Sequence, residues 1–398
     1  MTRVAIIGGG ACGLWCANAL KRNKPSIDVV IFDRQPIVGK KIAMSGNSRG
    51  NLTNLNVSSA GYNHPDFVAS IINNISAKSI VDLFEIRGIR VSSDEQGRVY
   101  PISESAQAVV DMFRCDNDLR GVRTINHQEV SDIKINGHKF IVGQDAFDYV
   151  VIATGTNAGL GPKVPVKTYP TINGQDEFLV TERFPSLAAI GVKDDIKMLL
   201  GLRVKADMAL SIGDKTYQSA GELQIIDKAL SGIAMFVLSS YYARAKVNGS
   251  VGQPQVSVDL MPQLNHMQLR EYLSNYVDIN DLKPQSLEGL LAPKLSAWIY
   301  KRYLEIYSKR NIDTLSNFIK KVTFLVDTAY IPNNYQVISG GIDISEVEPS
   351  SLMSKKYPNL FIGGEVLDVD GLCGGYNLHF AFASGAVIAD SIIKKENI

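Results

Sequence analysis

An apolar run, Arg3-Val-Ala-Ile-Ile, leads directly into Gly8-Gly-Gly10-Ala-Cys-Gly13, and a helical pattern follows at once. Glycines spaced G-x-G-x-x-G between a strand and a helix constrain this chain more than any other feature. Gly8 permits a tight turn, Gly10 lets backbone approach a pyrophosphate, and Gly13 lets the helix sit close on the strand. The free N–H groups and positive dipole end of that helix then hold the phosphates. A second apolar strand, Ile27–Phe32, ends in Asp33, about 20 residues beyond the last glycine, where a ribose-binding carboxylate falls in such units. A lone G-x-G-x-x-G also fits a glycine-rich turn. Strand, helix and acid together point to a bound dinucleotide.

The chain has 398 residues, so two or three compact units are expected. A formal net charge of +1 gives no electrostatic reason to expect nucleic acid or an anionic membrane as partner. Cys12, Cys16, Cys115 and Cys373 show neither C-x-x-C spacing nor a disulfide framework, which fits a reducing compartment. The first strand begins at residue 3, leaving no room for a signal peptide, and no apolar run reaches transmembrane length. The expectation is a cytoplasmic protein. Residues 11 to 22 read as the first helix, on which Cys12 and Cys16 are buried small residues.

After Asp33 comes Gly39-Lys-Lys41-Ile-Ala-Met-Ser45-Gly46-Asn47-Ser-Arg49-Gly-Asn51-Leu-Thr53-Asn54, polar, glycine-rich and cationic. A surface linker has this composition, but so does a loop wrapping a phosphate-bearing cofactor. The stretch resembles G-[RK]-K-x-x-x-S-G-x-G-R-C-N-x-T-N of the YhiN-like flavoproteins, which include BaiN-like and aminoacetone-oxidase-like enzymes. Ser48 stands where that family has glycine, and Gly50 where it has cysteine. The resemblance implies that this loop lies along FAD near its isoalloxazine ring.

Further segments extend the resemblance. Gly97-Arg-Val-Tyr-Pro-Ile-Ser103 is similar to the family's G-R-[VF]-F-P-x-S, and Asn136-Gly137 marks a hairpin. By resemblance, the backbone near Val130 touches the adenine. A buried strand ends in Ala153-Thr154-Gly155, the return strand of a two-dinucleotide-type flavoprotein, but the following Thr156–Pro165 departs from the family pattern. Gly221–Ala234 resembles G-E-L-L-F-T-H-x-G-x-S-G-P, with Ile226 and Asp227 in place of Thr-His. Near the end, Gly363-Gly364-Glu365-Val-Leu-Asp368 and Gly374-Gly375-Tyr376-Asn377 closely resemble A-G-E-x-L-D-x-x-G-x-x-G-G-Y-N. This last match separates FAD from NAD as the ligand of the first motif.

The fold class expected is α/β: a Rossmann-type FAD-binding domain of the two-dinucleotide class with an inserted region. The boundaries expected are 1–160 with 336–398 for the FAD domain, a β-rich insert at 161–258 and a mainly helical insert at 259–335. Cofactor contacts are expected at Gly8, Gly10, Ala11, Cys12, Gly13, Asp33, Arg34, Lys41, Ser45, Gly46, Asn47, Arg49, Asn51, Thr53 and Val130. The remaining contacts are expected at Ala153, Thr154, Gly155, Gly364, Glu365, Asp368, Gly374, Gly375, Tyr376 and Asn377.

Tyr376 and His379 are weak candidates for proton transfer; packing and a satisfied interior histidine are the plainer readings. No partner cysteine makes Cys373 a redox pair, no residue spacing points to a metal, and no Ser-His-Asp constellation can be placed. The function expected is FAD-dependent hydride exchange with a small organic substrate, foremost NAD(P)H-driven reduction of an enone or carbonyl. Oxidation of a small amine by oxygen is the second reading, and an FAD-binding redox sensor or interaction protein without turnover is the third. FAD is expected to be non-covalent, and any NAD(P)H a transient donor, since 160–335 holds no second strand–G-x-G-x-x-G–helix unit.

Overall fold

The structure is a computed structural model and describes residues 1–160, 166–249 and 252–397. Two compact units are present: Met1–Phe184 with Val337–Ile398, and Pro185–Gln336.

In the first unit the G-x-G-x-x-G segment joins strand β1 (Arg3–Ile7) to helix α1 (Ala11–Asn23), and β2 (Asp28–Phe32) pairs parallel with β1. β3 (Arg123–Ile125), β4 (Tyr149–Ile152) and β5 (Leu360–Ile362) complete a five-stranded sheet in the order β5-β4-β1-β2-β3, parallel throughout. That is the 3-2-1-4-5 order of a dinucleotide-binding sheet, with its switch point between β1 and β4. Val4–Ile7 and Tyr149–Ile152 are buried, as strands covered on both faces must be.

Between β2 and β4 lie α2 (Pro65–Ile72), α3 (Ala77–Ile86) and α4 (Ala106–Leu119). An antiparallel ribbon of Asp132–Asn136, Lys139–Val142 and Asp145–Phe147 follows, turning at Gly137 with a φ of +59°. The last helix, α5 (Tyr376–Lys395), crosses α1 so closely that a Cβ on Gly385 would come within 2.4 Å of the Cys12 carbonyl oxygen. Trp15 of α1 packs against Phe382 of α5 at 5.0 Å between ring centroids. Cys12 and Cys16 are buried there, and burial pushes the Cys12 thiol up to about 12.

The stretch Pro65–Ile86 is long and apolar enough to cross a membrane by length and composition, with a mean hydropathy of 1.3. It consists of α2 and α3, separated at 73–76, and buries Phe67, Val68, Ile71, Ile80 and Phe84 in the core.

The first unit runs to Phe184, beyond the boundary expected near 160. Thr171–Ile172 explains this: it pairs with the ribbon strand Asp132–Asn136 and holds the segment to the first unit. The altered segment at 161–165 lies outside the described residues.

In the second unit the expected split into β-rich and helical parts gives way to one antiparallel sheet with helices. Its six strands follow the order Ile190–Gly191, Ala229–Ser231, Lys215–Ile226, Arg203–Ile212, Gln255–Asp259, Val322–Leu325. The last strand comes from the segment expected to be helical, and the fifteen-residue helix Ile233–Val247 comes from the segment expected to be β-rich. Ile226 and Asp227 lie at an exposed hairpin tip, next to Lys228 with a φ of +56°.

Candidate functional site: a dinucleotide cradle at the carboxyl ends of the parallel strands

Each fingerprint glycine has a separate steric reason. Gly8 has a φ of +108°, and a Cβ there would lie 2.4 Å from the Ala153 carbonyl oxygen. A Cβ on Gly13 would lie 2.0 Å from the Gly8 carbonyl oxygen, so α1 seats on the turn only without one. A Cβ on Gly10 meets nothing within 4 Å. Gly10 therefore faces open space at the start of α1, whose first turn has no side-chain cap and no acidic residue. Ala11 and Cys12 open that helix, and their N–H groups point where phosphates are bound in this type of turn.

The same edge of the sheet collects the other expected contacts. Gly155 follows β4 with a φ of +59°, and its Cβ would also meet nothing within 4 Å. Beside it, Thr154 Oγ1 is buried without a hydrogen-bond partner. Gly364 follows β5 and would place a Cβ 3.1 Å from that of Cys12, which brings Glu365 next to the start of α1. Lys41 Nζ donates to Glu365 Oε2 at 2.5 Å and to Thr156 Oγ1 at 3.1 Å.

On the β2 side, Asp33 accepts from Gly9 N–H at 2.6 Å and from Gln35 N–H at 2.7 Å. Its own carbonyl accepts from Gln128 N–H at 2.9 Å, and Arg34 pairs with Glu129 at 3.6 Å. These bonds hold the segment leading to Val130 beside the end of β2.

The loop after Gly39 meets the start of α5. The Asn51 amide accepts from Gly375 N–H at 3.1 Å and donates to the Thr53 carbonyl at 3.1 Å, the orientation its two neighbours require. Asn54 Nδ2 donates to the Gly374 carbonyl at 2.9 Å. Asn377 closes its own loop on Gly371, through bonds of 2.8 and 2.9 Å. Gly46, Asn47 and Ser48 are successive left-handed residues, with φ of +56°, +56° and +65°. Ser45 precedes this turn, its hydroxyl donating to the Ile42 carbonyl at 2.7 Å. Arg49 is exposed and stands over the Tyr100 ring at 4.7 Å.

Four sequence candidates sit differently from their expected roles. His379 is wholly buried, its Nδ1 2.7 Å from Thr53 Oγ1. Burial pushes its imidazole down to about 4, with the Ile75 carbonyl opposing, and Nε2 has no hydrogen-bond partner of normal geometry. A neutral interior ring is poorly placed to exchange protons with a substrate. Tyr376 packs against Tyr62 at 5.5 Å and donates to the Asn56 carbonyl at 3.1 Å.

Asp368, expected at the cofactor, is buried at the centre of a network instead. It accepts from Asn63 at 2.8 Å, Thr181 at 2.9 Å and Gly340 N–H at 3.2 Å, and pairs with His64 at 3.4 Å. Nothing in the motif spacing signals Asn63, His64 or Thr181, which join Asp368 only through the fold. Gly375 is jammed as well: a Cβ would lie 2.5 Å from the Thr53 carbonyl oxygen. Close packing of α5 on the Thr53–Asn54 strand thus accounts for this glycine. Among the described residues, no group of three or more His, Cys, Asp or Glu side chains could hold a metal ion.

These features fit FAD: two open glycine faces, an uncapped helix start, an orphaned threonine hydroxyl and an acid at the end of β2. Fold and cradle define a Rossmann-type flavoprotein, an FAD-dependent oxidoreductase. Residues 2–391 match the family described as HI0933-like protein Rossmann domain, and the chain belongs to that family.

The 3-dehydro-bile acid delta(4,6)-reductase of Clostridium scindens is 28% identical, covering 97% of each chain. The ribosomal RNA dihydrouridine synthase of Haemophilus influenzae is 27% identical, covering 98% of each. Among solved structures, an open-conformation flavocytochrome c3 fumarate reductase aligns with a TM-score of 0.46 at 15% identity, covering 99% of this chain and 78% of the other.

Proposed function

We propose that the protein reduces a carbon–carbon double bond conjugated to a carbonyl, using electrons from NAD(P)H and FAD held without a covalent bond. The observation that carries this reading is a chemistry shared by two full-length relatives. A 3-dehydro-delta(4,6) bile acid carries a ketone conjugated to its double bonds, and dihydrouridine is uridine with its carbonyl-conjugated double bond reduced. The bound flavin supplies hydride exchange at its N5 position.

The chain's own part is positioning and electrostatics. The Gly10 face and the first turn of α1 hold phosphates, and Asp33 offers a carboxylate to a ribose. The start of α5 contributes about half a positive charge where no side-chain cap covers it. The Gly375 N–H is already taken by Asn51, so the N–H groups of the first helical turn, Tyr376 to Leu378, are left for a developing negative charge. His379 and Tyr376 are engaged elsewhere, which favours a substrate proton coming from solvent.

The two relatives named act on very different partners, a bile acid and ribosomal RNA. The net charge of +1 favours the small molecule, because nucleic-acid binding draws on many cations. Within the second unit the described sheet is antiparallel, unlike a nicotinamide-binding Rossmann unit. NAD(P)H is therefore a transient visitor at the place the substrate uses, and the kinetics are ping-pong.

Anaerobic mixing of the yellow holoprotein with NADH or NADPH tests this: the flavin bleaches, and 2-cyclohexenone restores its colour. Bleaching by small amines, with oxygen alone restoring colour, supports an amine oxidase. No bleaching by any of these points to a sensor.

A further inference from the structure

We propose that Lys41 is a positioning residue of the cradle that acts through Glu365. It cancels the charge of this carboxylate, which can then take a hydroxyl of the FAD polyol chain without repelling the pyrophosphate. The inference rests on FAD held without a covalent bond, as proposed above, and not on the enone chemistry.

The topology sets the direction in which a dinucleotide lies. Its pyrophosphate belongs at the start of α1, beyond β1, and its adenosine ribose at Asp33, beyond β2. The sheet order puts β4 and β5 on the other side of β1. The flavin half therefore runs over the ends of β4 and β5, and its first part past the pyrophosphate is a chain of hydroxyls. Glu365 follows β5, and Gly364 beside it would bring a Cβ within 3.1 Å of that of Cys12 in the first turn of α1. An acid so near the phosphates stands against the rest of that helix start, whose first turn holds no acidic residue.

Lys41 removes the conflict. Gly39 N–H donates to the Gly9 carbonyl at 2.8 Å, which ties the short helix Lys40–Met44 to the fingerprint turn. From that helix Lys41 Nζ donates to Glu365 Oε2 at 2.5 Å and to Thr156 Oγ1 at 3.1 Å. The pair carries no net charge, where a lone carboxylate would add one beside two phosphates. One oxygen of Glu365 is thus fixed, and among the described residues no donor reaches the other, Oε1, which is not sealed from solvent. A carboxylate held in this way is a directed acceptor for a hydroxyl.

The test is a double-variant cycle read at equilibrium, without turnover. Full-length protein freed of its flavin is titrated calorimetrically with FAD and with ADP, which has the ribose and pyrophosphate but no polyol chain. Lys41→Met is expected to weaken both ligands about 10–100-fold, because Glu365 is left charged and unpaired. Lys41→Arg keeps the charge and holds FAD within about threefold of wild type. Glu365→Gln weakens FAD about tenfold and ADP not at all. The double variant Lys41→Met with Glu365→Gln returns ADP to within about threefold of wild type, since neither charge remains.

A double variant that binds ADP as weakly as Lys41→Met would mean that Lys41 holds a phosphate directly, and overturns the proposal. Equal weakening of ADP and FAD by Glu365→Gln also overturns it, and that result is read even if Lys41→Met does not fold. A wild type that takes up no FAD overturns the cofactor assignment together with the proposal. An additive cycle in a protein that does bind FAD overturns the proposal alone, and reoxidation by 2-cyclohexenone is read separately.

Discussion

The glycines of the fingerprint divide into two that packing requires, Gly8 and Gly13, and one, Gly10, that faces open space. Gly10→Val places its side chain where no protein atom lies within 4 Å, so the variant is expected to fold. It should bind FAD ~100-fold more weakly, about 2.7 kcal/mol. Gly13→Val drives a Cβ to 2.0 Å from the Gly8 carbonyl and should not accumulate as folded protein. Circular dichroism and flavin fluorescence of the two purified variants check this; equal loss of fold in both would sink the assignment of Gly10 to the phosphates. The departures from the family motif have a conformational account too. Ser48 occupies a left-handed position that the family fills with glycine, and Gly50, at φ +82°, is left-handed where the family has cysteine. Ser48→Gly relieves about 1–2 kcal/mol of strain but adds about 0.5–1 kcal/mol of unfolded-state entropy. A net gain of about 0.5–1 kcal/mol is expected in a thermal melt of the apoprotein. Gly50→Cys should instead lose stability, because its Cβ would also come 3.1 Å from Ala106 Cα.

At the scale of elements, three helices end at one carboxylate. Asp116 accepts from Arg22 of α1 at 2.7 Å and from Arg120, at the end of α4, at 3.0 Å; Arg87, just past α3, lies 3.9 Å away. The three guanidiniums oppose the negative ends of the three helix dipoles, and Asp116 holds them together. Arg87 is the most buried of them, and burial with the neighbouring Arg22 charge lowers its pKa to about 10, Asp116 opposing. Asp116→Asn should cost about 1–3 kcal/mol, less than a fully buried pair because Arg22 and Arg120 are about a third exposed. A melting temperature unchanged from wild type would show that the helix ends do not depend on this acid. None of this cluster was legible in the sequence, because its members are joined by packing and not by spacing. The β1-α1-β2 unit, the Asn136-Gly137 hairpin and the glycines of the cradle were legible, since local backbone demands dictate their residue types. The second unit was legible only in broad terms, as β-rich and then mainly helical. Its strand Val322–Leu325 gains its identity from Gln255–Asp259, far away in the chain, so local pattern alone assigned it to a helical segment.

At the scale of the whole molecule, the first unit is assembled from two distant stretches of chain, and one network ties them. Asn63 and His64 precede α2, Thr181 lies near the end of the first stretch, and Gly340 and Asp368 belong to the second. Burial pushes the Asp368 carboxyl up, but the hydrogen bond and charge of His64, with Thr181 and Asn63, more than offset it and hold it below its ordinary range. The bond to Asp368 raises His64, burial opposes, and the charges of Asp368, Asp343 and Asp370 add to the rise. The two shifts set a pH window. A raised histidine contributes its full stabilisation below its unfolded value of 6.5 and loses it as pH rises through the higher folded value. A depressed carboxylate contributes above its unfolded value of 3.8 and loses it as pH falls through the lower folded value. The ionic part of this tie is therefore complete between about pH 4 and 6.5 and fades on the alkaline side. Because the His64 side chain is 34% exposed, the pair is worth only about 0.5–1 kcal/mol after solvent screening. His64→Gln should melt below wild type at pH 5, and the gap should narrow as both are carried to pH 9. The neutral bonds from Asn63, Thr181 and Gly340 to Asp368 persist at every pH in that range, so Asp368→Asn should remain destabilised at pH 9. A His64→Gln deficit that is constant from pH 5 to pH 9 would mean that the imidazole acts by packing alone.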